Sequence, residues 1–148
     1  MSAYLAVPQA RDFCMMRGLE DGAFDDEQLA ALLLRASELL DQICSWRGTK
    51  QKSTQIRNWP RLDVRDGDGA PIESVPHEVI AVTMSLALQL GTDEREAYRN
   101  CGLADGVMQE RVGDIQVRYT SDKHQLPPFL RQLWPLLRLS QAIEITRA

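Results

Sequence analysis

The run "DDEQLAALLLRASELLDQIC", residues 25–44, constrains the fold more than any other part of the sequence. Leu29, Leu32, Leu33, Ala36, Leu39, Leu40 and Ile43 recur at three- and four-residue intervals, so they line one side of an α-helix and leave the other side polar. Asp25 or Asp26 can cap its start, Glu27 complements its N-terminal dipole, and it should end between residues 43 and 45, ahead of Gly48. A helix with such a stripe is stable only when other elements cover it. The rest of the chain must supply them.

Further helices are readable on both sides. Pro8 suits a first helical turn and Gly18 a C-terminal stop, which predicts a short helix over 8–17. "HEVIAVTMSLALQL", residues 77–90, is apolar almost all round, with only Glu78, Ser85 and Gln89 as a polar stripe. Such a helix is central to a core or is covered by a neighbouring subunit. Ser74 and Pro76 mark its start and Gly91 its expected end; Thr92 or Asp93 can cap a short helix over "EREAYRNC". In 112–120, Ile115, Val117 and Tyr119 alternate with Gln116, Arg118 and Thr120, the period of a half-buried strand. Residues 126–137 read as a last helix, begun by Pro127 and Pro128 and interrupted at Pro135.

The expected fold class is therefore mainly α: a bundle of four to five helices with a long inter-helix loop and a minor β strand or hairpin near the C-terminal part. One domain over 1–138 is expected, followed by an arm over 139–148. With 148 residues, 44% of them apolar, the chain can bury a sufficient core without metal or disulfides. Cys14, Cys44 and Cys101 lack CxxC spacing and read as buried, reduced thiols. There is no run of about 20 apolar residues to span a bilayer, and the start lacks signal-peptide features, so no membrane partner and a cytoplasmic site of synthesis are expected.

The connection "NWPRLDVRDGDGAPIESVP", residues 58–76, is the part whose purpose is least evident. As a calcium loop it fails: with Gly69 at the required glycine, Val64 and Val75 fall on the first and twelfth ligand positions. Its Asp and Gly residues are turn formers for backbone reasons. His77 and His124 have no ligand spacing around them, and neither a serine elbow nor a phosphate-cradling glycine loop is present. No cofactor, no metal and no enzymatic activity are expected.

Charge offers more. The chain carries a net charge of -4, yet residues 46–62 hold Arg47, Lys50, Lys52, Arg57 and Arg61 and no acid. Trp46 and Trp59 interleave with these cations. Aromatic rings in a positive groove are how single strands are held, provided the rings are exposed; otherwise both rings fill the core and the cations stay solvated.

Four pieces in order resemble the head-to-tail adaptor, or head completion, proteins of tailed bacteriophages: "ASELLDQICSWRGTK", "QIRNWPRLDV", "IESVPHEVIAVTMSLALQL", and "RVGDIQVRYT" followed by "LPPFLRQLWPLLR". That resemblance implies a structural virion protein of the phage neck. It implies a homo-oligomer, a dodecameric ring, that docks on the portal protein, offers a platform to the stopper or tail, and lets genomic DNA pass through its channel. Trp59, Arg57, Arg61, Arg47, Lys50 and Lys52 would then meet a neighbour or the portal. Leu139, Ile143 and Ile145 would anchor the arm, unless the arm is a frayed tail. The alternative carried with it is a single-stranded DNA-binding replication protein of primosomal type.

Overall fold

The computed structural model describes residues 2–101 and 128–138. Among these residues, four α-helices, α1 (Val7–Arg17), α2 (Asp26–Ile43), α3 (His77–Thr92) and α4 (Glu94–Asn100), are joined by a 3-10 helix over Pro128–Leu136. A two-stranded antiparallel sheet, β1 (Thr49–Lys50) and β2 (Arg61–Leu62), sits between α2 and α3, pairing Thr49 with Leu62 and Lys50 with Arg61. The mainly helical bundle with a small β element is thus as expected, but this hairpin lies between α2 and α3, with only β2 inside the connection over 58–76. The strand expected around Ile115 to Tyr119 lies outside the described residues, as does the arm over 139–148. Among the described residues no helix is long and apolar enough to cross a membrane.

α2 begins with a reciprocal cap: Asp25 Oδ1 accepts from Gln28 N at 2.8 Å, and Gln28 Oε1 accepts from Asp25 N at 2.9 Å. All seven apolar residues of its stripe are buried, and α2 shares its largest contact with α3. α3 also packs on α4 and on the 3-10 helix. Its nearly all-round apolar surface is therefore covered within one chain, and no neighbouring subunit is needed to explain it. Each fully buried leucine in this interface contributes roughly 1.5–3 kcal/mol. Truncating one, such as Leu33 or Leu86, to alanine would cost about 2–5 kcal/mol, because the surroundings collapse only partly into the cavity.

α1 is held by few apolar contacts, chiefly buried Ala10 and Cys14, and by Arg11. The Arg11 guanidinium donates to Asp21 Oδ2 at 2.9 Å, the Phe24 carbonyl at 2.8 Å and Asp26 Oδ1 at 2.9 Å, which fixes the turn into α2. Gly18 ends α1 as expected, at φ 66. Gly91 does not end α3. A Cβ there would lie 2.6 Å from the Phe24 ring and 2.7 Å from Leu32 Cδ1, so its glycine serves close packing while the helix runs on to Thr92. Asp93 then caps α4 through Glu96 N at 3.1 Å.

The last helix is 3-10 rather than α. Leu130, Leu133 and Leu136 are buried, and a helix with three residues per turn stacks them on one face. Pro135, which lacks an N–H, is accommodated within it.

Candidate functional site

The connection between α2 and α3 is anchored from both sides by buried groups. Trp46 and Trp59 are 3% and 2% exposed and meet edge to face, with ring centroids 5.6 Å apart. Both rings therefore fill the core, and neither is a stacking platform. The Trp59–Pro60 peptide bond is cis. Gly48 stands at φ 75, and a Cβ on it would lie 2.1 Å from the Leu62 carbonyl oxygen and 2.7 Å from Val64 Cγ2. Glycine is required there for both conformation and space.

Asp41 of α2 is the first anchor. Its carboxylate accepts a short hydrogen bond from the Tyr4 hydroxyl, another from Asn58 N at 3.2 Å, and pairs with Arg57 at 3.2 Å, all largely buried. The Tyr4 hydroxyl in turn accepts from Trp59 N at 3.3 Å. Burial pushes the Asp41 carboxyl above the usual range, although Tyr4, Asn58 and Arg57 pull it down. Burial and the neighbouring Asp41 also push the Tyr4 hydroxyl far up, so it stays a donor.

Arg61 is the second anchor. Buried to 8% exposure, it donates Nε to the Arg47 carbonyl at 2.6 Å, one terminal nitrogen to the Asn58 carbonyl at 3.1 Å and the other to the Gly48 carbonyl at 2.8 Å. One guanidinium thus ties both ends of the hairpin. Burial, followed by the charge of Arg138, lowers its pKa from the usual arginine value.

The five cations of the basic island therefore separate. Arg61 is spent on three backbone carbonyls, and Arg57 lies largely buried against Asp41, with its Nε and one terminal nitrogen making no hydrogen bond among the described residues. Lys50 is half-buried and its Nζ donates to the Gln55 carbonyl at 3.3 Å. Arg47 and Lys52 are exposed and form no ion pair within the described residues. Sequence reading missed Arg138, which docks beside them through a bridge between Trp46 and Leu137. Its N donates to the Ser45 carbonyl at 2.8 Å and its guanidinium to the Gly48 carbonyl at 3.1 Å. No local signal marks it, since it lies about ninety residues away along the chain. Leu139, Ile143 and Ile145 lie outside the described residues.

The aspartate-rich turn is internally satisfied. Asp66 Oδ1 accepts from Asp68 N at 2.8 Å and Ala70 N at 2.9 Å, and Arg65 donates to the Gly69 carbonyl at 2.7 Å. That is turn chemistry, and these bonds explain the residues without a cation. No group of three or more metal-ligating side chains occurs among the described residues.

A family model described as "Putative DnaT-like ssDNA binding protein" matches residues 1–147. No curated protein and no solved structure matches the chain. The family match overturns the resemblance to phage head-to-tail adaptors. With it fall the neck role, the dodecameric ring, the portal and stopper as partners, the passive passage of DNA, and the virion location. The physical reason lies in the residues that suggested it. The leucine stripe, Trp59, Arg61 and Pro76 form helix core, loop anchor and helix entry, so they specify a small helical bundle and not what it docks to.

Proposed function

The chain belongs to the DnaT-like ssDNA binding protein family, and from that premise we propose that it binds single-stranded DNA through the outer, basic face of the β1–β2 hairpin. The observation that carries this reading is that Arg47, Lys52 and Arg138, around that hairpin, are exposed and none is paired with a carboxylate among the described residues. A chain of net charge -4 that keeps such a face unneutralised favours phosphate there and repels it elsewhere. The protein acts by binding and without catalysis. Because Trp46 and Trp59 are buried, contacts run to the sugar–phosphate backbone, and little sequence preference is expected.

Anisotropy of a labelled thymidine oligomer across a salt series tests this. With two to three phosphates neutralised, log K against log salt should fall with a slope of about -1.4 to -2.1. In a Trp134→Phe background, which removes the half-buried third tryptophan, emission from Trp46 and Trp59 should stay unquenched. Absence of binding at low salt, or binding indifferent to salt, would refute the proposal.

A further inference from the structure

Arg47, Arg61 and Arg138 converge on one small piece of backbone. The Gly48 carbonyl accepts from Arg61 at 2.8 Å and from Arg138 at 3.1 Å, while the Arg47 carbonyl accepts from Arg61 at 2.6 Å. Arg47 itself donates N to the Leu136 carbonyl at 2.9 Å and Nε to the Leu137 carbonyl at 2.8 Å. This backbone lacing holds residues 46–48 against 136–138 and brings the exposed Arg47 and Arg138 onto one paired stretch of backbone. Three positive charges are gathered with no carboxylate paired to any of them among the described residues. Packing explains one nitrogen of Arg47 and one of Arg138. It leaves both terminal nitrogens of Arg47, and the Nε and one terminal nitrogen of Arg138, without partners in the described residues.

Like charges brought together destabilise a fold unless something relieves them, and an oxyanion held by planar guanidinium forks does so with directional hydrogen bonds. We infer that Arg47 and Arg138 form a two-guanidinium seat for one internucleotide phosphate of a single strand, with buried Arg61 as the positioning residue behind it. The inference rests on the single-strand reading above and adds to it the point at which the strand is fixed. It also makes the segment carrying Arg138 part of the binding face.

Full-length chain is titrated with the thymidine oligomer as wild type, Arg47→Gln, Arg138→Gln and the double variant, with Arg47→Lys/Arg138→Lys as the variant that keeps charge and loses the fork. Each glutamine variant should bind about tenfold more weakly. The double variant should be little worse than either single one, because both arginines serve one phosphate. Its salt slope should shrink by about 0.7, the share of one phosphate on a single strand. The lysine pair should keep the slope and lose affinity. Unchanged affinity and slope in the double variant would overturn the seat while leaving single-strand binding intact. If the wild type binds no oligomer, the single-strand reading fails, and inorganic phosphate decides on the seat. In that case the side-chain Nε–H resonances of Arg47 and Arg138 in labelled protein must shift on titration; if they stay still, the seat is wrong.

Discussion

Replacing Arg61 with methionine isolates what the buried guanidinium does for the hairpin. The methionine retains an unbranched stem in the same packing and removes all three hydrogen bonds, to the carbonyls of Arg47, Gly48 and Asn58. A hydrogen bond to a charged group contributes a net of roughly 1.5–3 kcal/mol. The three bonds here share one guanidinium at 8% exposure, so their contributions are not additive. A loss of about 2–4 kcal/mol is predicted. Arg61→Lys should fall between wild type and Arg61→Met, because a single ammonium cannot reach three carbonyls that a planar fork spans.

The measurement is urea unfolding, with the midpoint read at constant slope. Amide exchange at Thr49 and Leu62 should accelerate in Arg61→Met beyond what global destabilisation explains, since the lost bonds pin β1 to β2. Arg61→Met within about 0.5 kcal/mol of wild type would refute the anchoring argument. So would a lysine variant as damaged as the methionine one.

Two further predictions concern a buried carboxyl and two glycines. Asp41 is held above the ordinary carboxylate value by burial, so the folded chain keeps a proton that the unfolded chain has already lost. Its contribution is fully present below the ordinary carboxylate value and declines as pH rises through the folded value. The stability of wild type minus that of Asp41→Asn, which cannot titrate, should therefore fall with rising pH across that window; a rise would show that Arg57 and Tyr4 outweigh burial. Gly18 and Gly48 both stand at positive φ, but a Cβ meets nothing within 4 Å at Gly18 and the Leu62 carbonyl at Gly48. Alanine should cost about 1 kcal/mol at Gly18 and several times that at Gly48, where β1 and β2 must part to admit it; equal losses in thermal or urea unfolding would refute the steric account.

The helices were legible because their causes are local. Asp25 caps through a residue three positions on, Gly18 stops α1 with its own φ, and the leucine stripe of α2 follows from helical periodicity alone. Gly91 shows where local rules stop. Read as a terminator, it is a glycine because Phe24 and Leu32, far away in the sequence, occupy the space of its Cβ. The hairpin was missed because two residues in each strand carry no alternation to detect. The 3-10 form of the last helix was not legible, because the buried Leu130, Leu133 and Leu136 suit one face of an α-helix as well.

The basic island shows why a candidate site is harder to read than a fold. All five cations are the same signal in sequence, but burial and partners divide them. Arg57 lies against Asp41, and Arg61 spends its donors on three backbone carbonyls that no residue identity could announce. What separates Arg61 from Arg47 is which guanidinium nitrogens still lack an acceptor once the chain has folded. Counting charge alone therefore overestimates the surface on offer, and it also overlooks Arg138, which reaches Gly48 across about ninety residues of chain. The proposed binding face is what remains when the spent donors are subtracted and the distant one is added. On that accounting it is a face for phosphate rather than for bases, because the tryptophans that suggested stacking are the residues that hold the hairpin to the core.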